Sequence, residues 1–119
     1  ASDVYKRQLY IDRAQIEQVL INLIKNAKES CGQNTAPQIE VELEQVPGKV
    51  CSLTVRDNGE GILPEVIDKV FVPFFTTKPS GSGIGLSLCK QIMNLHGGTI
   101  TVSSEIGKGS CFTLMFPGR

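Results

Sequence analysis

The sequence predicts an α+β two-layer sandwich in which helices pack on one face of a mixed, mostly antiparallel sheet. Two segments, 13–31 and 85–96, carry apolar residues at spacings of three and four, which is typical of helices with one buried stripe. Two further pairs of segments alternate apolar and polar residues, which is typical of strands with one buried face. Since every element has a single apolar surface, two layers bury all of them.

The first helix is expected from Arg13 to about Cys31. Asp12 precedes it as an N-cap, and Gly32 suits its end. Leu9 and Ile11 are consistent with a short strand before the helix. Its predicted buried face consists of Ile16, Val19, Leu20, Leu23, Ile24, Ala27 and Cys31.

The next two segments predict a β-hairpin. Ile39, Val41 and Leu43 alternate with three glutamates, so this strand has one acidic face directed to solvent. Pro47-Gly48 forms the turn, and the second strand follows with Leu53 and Val55 on its apolar face.

The rest of the chain alternates turns with regular elements. Pro64 is expected to begin a short helix that runs to about Val70, and 71–82 is expected to be a loop. The second long helix, 85–96, ends at Gly97-Gly98. Segments 99–104 and 110–116 form a second antiparallel pair. Three phenylalanines are expected to pin the loop to the body of the domain: Phe71, Phe74 and Phe75.

Length and net charge limit the number of domains and the classes of function that the chain can have. The chain has 119 residues and a formal net charge of zero, which suits one domain and argues against a nucleic-acid-binding surface. Residues 1–8 are interpreted as a disordered tail or a cloning remnant, and 9–119 as the domain. No segment has the ~18 apolar residues of a membrane span, and no signal peptide is evident. We therefore expect a cytoplasmic domain without membrane contact, although it is also compatible with the cytoplasmic part of a membrane-bound sensor.

The cysteines and the lone histidine are interpreted as structural. The four cysteines form no CxxC pair, and one histidine cannot complete a zinc site at normal spacing. The cysteines therefore behave as small buried residues in a reducing compartment. His96 falls on the buried arc of its helix and is expected to be hydrogen-bonded there.

Two asparagines on the first helix are candidate ligands. Asn22 and Asn26 are four residues apart, so they stack on one side of the helix at the edge of its apolar arc. An asparagine oxygen is a hard ligand that suits Mg²⁺. The alternative is a pair of surface amides.

Asp57 is a candidate acceptor for a ligand amine. It has the same parity as Val55, so it faces the core side at the end of its strand. A buried carboxylate can accept from an exocyclic amine such as that of adenine. Gly59 and Gly61 follow and leave space beside it. The alternative is an Asx-type turn cap.

Three glycines, Gly81, Gly83 and Gly85, open onto the second long helix. Glycine permits close backbone approach, and a helix start offers unpaired N–H groups, so this stretch suits an anion. It is not a P-loop, because the lysine and hydroxyl of that motif are absent, and it lacks the strand and spacing of a dinucleotide fingerprint. Lys78 precedes the glycines in a loop that can close over a polyphosphate; the alternative is a solvated lysine.

Taken together, these signals closely resemble the catalytic ATP-binding domain of bacterial two-component sensor histidine kinases, within the wider GHKL family of gyrase, chaperone, histidine kinase and MutL domains. The resemblance covers about Leu9 to Phe116. The loop segment Pro73-Phe74-Phe75-Thr-Thr-Lys78, which corresponds to the ATP lid of the family, is most similar to the nitrogen-regulation branch. The four motifs that carry it stand in one order: Asn22-Leu-Ile-Lys-Asn26-Ala27, Asp57-Asn58-Gly59-Glu60-Gly61-Ile62, Phe71-Val-Pro-Phe74-Phe75-Thr-Thr-Lys78 and Gly81-Ser-Gly83-Ile-Gly85-Leu86.

The resemblance implies a Bergerat-type fold, ATP and Mg²⁺ as cofactors, and catalytic roles for Asn22, Asn26 and Lys78. Asn26 would coordinate the metal, and Asp57 would accept from the adenine amino group. The remaining implied nucleotide contacts are Gly59, Gly61, Ile62, Thr77, Gly81, Gly83, Ile84, Gly85, Leu86 and Ser110.

The implied activity is transfer of the γ-phosphate to a histidine on a separate dimerisation domain, and then signalling to a response regulator. The alternatives are a hydrolase of the same superfamily or a nucleotide-binding regulatory module. Family hydrolases resemble one another in placing a glutamate four residues before the metal-binding asparagine, where this chain has Asn22. One departure is Glu29, at a position that is basic in many family kinases.

Overall fold

A four-stranded antiparallel sheet forms one layer of the fold in the computed structural model, which describes residues 11–32, 34–45, 50–76 and 83–117. Its order is β1-β2-β4-β3, so the central strands come from different hairpins. The expected parallel component does not occur among the described strands; Leu9 lies outside the described residues, and Ile11 is not in a strand. The strands are β1 (Ile39–Gln45), β2 (Val50–Asp57), β3 (Thr99–Glu105) and β4 (Gly109–Pro117).

Helices α1 (Arg13–Ser30) and α3 (Gly85–Leu95) form the second layer, and α2 (Pro64–Ile67) is a single short turn that ends before the predicted Val70. The Asp12 side chain accepts from the Gln15 N–H at 3.1 Å, as expected for an N-cap. Gly97 closes α3 with a φ of 70°. None of the described helices is long and apolar enough to cross a membrane.

The core lies between the helical layer and β2, β4 and β3. The residues that the apolar periodicity predicts to be buried on α1 are buried, with two exceptions. Leu20 is only partly buried, and Ile24 is exposed. The buried set includes Ile16, Val19, Leu23, Ala27, Val55, Cys89, Ile92, Met93, Phe112, Leu114 and Phe116.

The apolar face of β1 is not buried, contrary to the simple alternation. Val41 is 52% and Leu43 63% exposed, because β1 is an edge strand and α1 packs mainly over β2. The opposite face of β1 carries exposed glutamates as predicted. Glu40 Oε2 lies 4.0 Å from Arg56 Nη1 on β2.

The cysteines are free thiols, as expected. Cys31, Cys51 and Cys89 are buried, but Cys111 is half-buried because it lies on the outer face of the sheet, opposite Arg56 in register. Burial raises the pKa of the Cys89 thiol to about 11, and a hydrogen bond from Asn22 acts in the opposite direction.

His96 joins the two long helices, which confirms its structural interpretation. Its Nδ1 lies 2.8 Å from the Ile92 carbonyl, and its Nε2 accepts from the Asp12 N–H at 2.9 Å. A carbonyl only accepts, so Nδ1 carries the proton and the ring is neutral in this arrangement.

The phenylalanines of the loop divide into two roles. Phe71 packs edge-on against Phe112 with ring centroids 6.2 Å apart, and Lys90 lies over its ring at 5.6 Å. Phe74 is 74% exposed, so its side chain does not pin the loop, contrary to the prediction. It also adopts a φ of 68°, an uncommon value for a residue with a large side chain.

Phe71→Ala is expected to lower the free energy of unfolding by about 2 kcal/mol, since it removes a partly buried ring from the core. Phe74→Ala is the matched control and should change stability by less than about 0.5 kcal/mol. Urea unfolding measures both; equal losses would contradict the assigned roles.

Cys89→Ser is expected to flatten the alkaline stability profile. Because the folded pKa of Cys89 is raised, its contribution is complete below pH 9 and is lost as pH rises towards about 11. Serine retains the shape and a donor towards the Val19 carbonyl but does not ionise in this range. Unfolding curves from pH 7 to 11 test this; parallel losses in both proteins would contradict it.

Candidate functional site

The Asp57 carboxylate occupies the end of the core face, where β2 finishes. It is 6% exposed, and its Oδ1 accepts from the Gly59 N–H at 2.8 Å, which forms the Asx-type turn considered as an alternative. The turn and a ligand-binding role are compatible, because a carboxylate has a second oxygen that can accept another hydrogen bond.

Ser110 lies directly opposite Asp57 in the register of β2 and β4 and is 4% exposed. Its hydroxyl is 3.0 Å from the Ser104 hydroxyl. Ser104 donates to the Gly109 carbonyl at 2.9 Å and accepts from the Ile62 N–H at 2.7 Å. The single Ser104 hydroxyl proton is donated to the Gly109 carbonyl, so Ser110 is the donor in the hydrogen bond between the two serines. The Ser110 oxygen can therefore still accept a hydrogen bond beside Asp57.

The loop after Asp57 is held between α1 and the turn joining β3 to β4. The Glu60 N–H donates to the Ser30 carbonyl at 3.2 Å, and the Glu60 carbonyl accepts from the Gly107 N–H at 2.9 Å. A Cβ at Gly59 would collide with Ser30, and one at Gly61 would collide with the Glu105 backbone. The space at these glycines is therefore taken by the protein's own backbone, which sets the loop beside Asp57.

Asn58 fastens the α1–β1 connection to the same corner. Its Oδ1 accepts from the Gln38 N–H at 2.8 Å, and its Nδ2 donates to the Ala36 carbonyl at 3.0 Å. Asn34 in turn donates to the Asn58 carbonyl at 2.8 Å. Asn58 thus has a structural role within this motif.

Asn22 and Asn26 are both half-buried on α1, which fits neither fully solvated amides nor core residues. Asn22 donates from Nδ2 to the Gly85 carbonyl at 3.3 Å and accepts from Gln18 at 3.0 Å. The structure therefore brings Asn22 to the start of α3, and Asn26 lies one turn further along α1.

The start of α3 has no side-chain cap: Ile84 occupies the N-cap position and makes no capping hydrogen bond. The first N–H groups of a helix have no intrahelical partner, so Gly85 and Leu86 present donors and a partial positive charge here. Just before it, the Gly83 carbonyl accepts from the Phe74 N–H at 2.8 Å, which holds these two residues side by side.

Three predicted site residues, Thr77, Lys78 and Gly81, lie outside the described residues. The other predicted residues form two groups at opposite ends of the C-terminal half of α1. One group lies near Ser30 and consists of Asp57, Ser110 and the loop with Gly59 and Gly61. The other group is the start of α3, which lies beside Asn22. Ser30 lies eight positions after Asn22, a rise of about 12 Å along the helix, and Asn26 lies midway.

Sequence reasoning missed three residues of this arrangement. Ser104 shares the parity of Ile100 and Val102, so alternation alone would have placed it on the core side. Gln18 is four residues before Asn22, a spacing that predicts contact on a helix. Asn58 offered no comparable signal, because its partners come from a distant loop.

The arrangement suits an elongated ligand with an amine at one end and anionic groups at the other. Buried acceptors lie at the Asp57 end, and backbone donors lie at the start of α3. Among the described residues, no group of three or more His, Cys, Asp or Glu side chains is placed to hold a metal ion.

Comparison with known proteins identifies relatives of the chain. A family model described as histidine kinase-, DNA gyrase B-, and HSP90-like ATPase matches residues 11–119. Sensor histidine kinase ZraS of Escherichia coli (strain K12) is 39% identical over 92% of this chain and 23% of that protein. C4-dicarboxylate transport sensor protein DctB of Rhizobium meliloti (strain 1021) is 45% identical over 78% of this chain and 15% of that protein. The chain therefore spans less than a quarter of these relatives.

Solved structures share the fold. Mycobacterial sensor histidine kinase MprB matches with a TM-score of 0.83 and 29% identity, covering 95% of this chain and 76% of that one. The nucleotide-free catalytic domain of histidine kinase ThkA matches with a TM-score of 0.79 and 37% identity, covering 92% and 71%. Full-length ShkA in complex with AMPPNP matches with a TM-score of 0.82 and 25% identity, covering 95% and 23%.

These matches confirm the predicted α+β fold and the resemblance at the level of the family. The chain belongs to the histidine kinase-, DNA gyrase B-, and HSP90-like ATPase family, as an ATP-binding catalytic domain of the sensor histidine kinase type.

Proposed function

We propose that this domain binds ATP with Mg²⁺ and presents the γ-phosphate to a histidine on a separate dimerisation domain. The observation that carries the proposal is the placement of a buried carboxylate and an uncapped helix start at opposite ends of one stretch of α1. This placement matches the polarity of a nucleotide, which has a neutral base at one end and phosphates at the other.

The base would be held at the Asp57 end. Asp57 accepts a hydrogen bond from the adenine amino group through Oδ2, while Oδ1 remains in the turn with Gly59. Ser110 adds a second acceptor in the same corner. Low exposure strengthens both contacts, because little water competes for them.

The phosphates would lie at the start of α3. Backbone N–H groups of Gly83, Gly85 and Leu86 are the proposed donors, and Ile84 lies between them without a capping side chain. Thr77, Lys78 and Gly81 complete this group as candidates from the sequence. The hydrogen bond between the Phe74 N–H and the Gly83 carbonyl lies at this point.

The residues present fit Mg²⁺ at Asn26. An amide oxygen is a hard ligand, and Mg²⁺ in nucleotide sites takes one or two protein ligands together with phosphates and water. Asn26 is half-buried between the two ends of the site. When bound, Mg²⁺ neutralises charge on the phosphates during transfer.

The chemistry of position 22 favours transfer to another protein over hydrolysis. An amide is not a general base, and the Asn22 amide is committed to Gly85 and Gln18. This domain's contribution would be positioning and charge stabilisation, as is usual in phosphoryl transfer. Hydrolysis by the isolated domain at the turnover of a true ATPase would contradict this preference.

The remaining proposals rest on the relatives, which are longer sensor kinases. The partners would be a histidine-containing dimerisation domain and a cognate response regulator, in the cytoplasm, without contact to nucleic acid or membrane by this domain. The domain would span 9–119. The Pro73-Phe74-Phe75-Thr-Thr-Lys78 segment supports membership of the nitrogen-regulation branch.

Asp57→Asn is expected to lower ATP affinity at least about ten-fold, since it replaces a charged acceptor in a buried corner. Asparagine retains an oxygen for the Gly59 turn, so the fold should be preserved. Asp68→Asn, an exposed aspartate after α2, is the matched control. Calorimetry measures both; unchanged affinity in Asp57→Asn would contradict the base assignment.

Asn26→Ala is expected to weaken ATP binding mainly when Mg²⁺ is present, by about ten-fold, because it removes a metal ligand. The same titration in a chelator should show a much smaller difference from the unmodified protein. An equal loss in both conditions would mean that Asn26 is structural.

A further inference from the structure

Gln18, Asn22 and Gly85 form a chain of hydrogen bonds from the exposed side of α1 to the first residue of α3. Gln18 Nε2 lies 3.0 Å from Asn22 Oδ1, and Asn22 Nδ2 lies 3.3 Å from the Gly85 carbonyl oxygen. We call these three residues the amide relay. Its inner end lies where the proposed function places the phosphates.

The chemistry of the relay sets the orientation of both amides. The Gly85 carbonyl can only accept, so the Asn22 group facing it must be the NH₂. Asn22 Oδ1 then faces Gln18 and can only accept, so Gln18 must present its own NH₂. The Gly85 carbonyl therefore sets the orientation of both the Asn22 and the Gln18 side-chain amides.

We propose that Gln18 is a positioning residue for phosphate binding: it orients the Asn22 amide, which holds the Gly85 carbonyl and hence the N–H groups at the start of α3. The inference rests on the proposed function, because it assigns those N–H groups to phosphate. Gln18 itself does not touch the nucleotide.

The packing around Gly85 supports a positioning effect. A Cβ built on Gly85 would lie 3.9 Å from Asn22 Cγ, so the Asn22 side chain is in van der Waals range of the first turn of α3. The Cys89 thiol, one turn further along the same helix, donates to the Val19 carbonyl of α1 at 3.8 Å. With no side-chain cap at Ile84, these contacts link α1 to the helix start.

Gln18 is exposed, so substitutions there remove the hydrogen bond without opening the core. Gln18→Met is neutral, has a similar shape and cannot donate. Gln18→Glu can only accept, so it competes with Gly85 for the Asn22 NH₂. Gln18→Lys restores a donor. Gln15→Met is the matched control, because Gln15 is another exposed glutamine of α1 and lines the same groove between α1 and α3 as Gln18.

The experiment measures two ligands on the 119-residue chain: Mg²⁺–AMPPNP, which carries phosphates, and adenosine, which does not. Gln18→Met and Gln18→Glu should lower AMPPNP affinity by about three- to ten-fold, the range for one hydrogen bond, and leave adenosine affinity unchanged. Gln18→Lys and Gln15→Met should retain AMPPNP affinity. Thermal unfolding of each variant verifies that the fold is intact.

The outcomes separate this inference from the proposed function. Unchanged AMPPNP affinity in Gln18→Met overturns the relay, and so does an equal loss for AMPPNP and adenosine, which would indicate a general structural role. A loss in Gln18→Glu alone would indicate repulsion by its charge and would also overturn the relay. If the unmodified chain binds neither ligand, the proposed function fails as well.

Discussion

The contact between the C-terminal end of α1 and the loop after Asp57 is the constraint on which the rest of the site depends. Ser30 accepts from Glu60, and Gly59 approaches Ser30 so closely that no side chain fits there. This contact sets the position of a buried carboxylate, which is stable only when hydrogen-bonded. The Asx-type turn provides one such bond and leaves a second oxygen that can accept from a ligand.

From that contact, α1 acts as a rigid link to the other end of the site. Its buried face packs on the sheet and α3, while its half-buried edge carries Asn22 and Asn26, and Asn22 reaches the start of α3. Because a helix has a fixed rise per residue, the distance between the Asp57 corner and the start of α3 is set by α1 itself. His96 ties the N-terminal end of α1 to the end of α3, so both helices are joined at two places.

Much of this could be predicted from local patterns. Helical periodicity located α1 and α3 to within a residue or two, and alternation gave the strands and the inward direction of Asp57. The exposure of Val41 and Leu43 could not be predicted, because alternation does not tell an edge strand from a central one. Nor could the exposure of Phe74, since a loop residue's burial depends on what packs beside it. The strand parity of Ser104 and the four-residue spacing of Gln18 and Asn22 were weak indications of their contacts. The structure was needed to identify the groups with which Ser104 and Gln18 form hydrogen bonds.

By itself, the sequence determined the class of the fold, the order of the motifs and the chemical type of each candidate ligand, because these follow from residue identity and short-range periodicity. Only the tertiary structure decided that Gly59 and Gly61 face the protein's own backbone, that the Asn22 amide is committed to Gly85, and that Ser110 lies opposite Asp57. These facts depend on contacts between residues far apart in the chain. Strand order and helix packing create such contacts, and no local pattern encodes them.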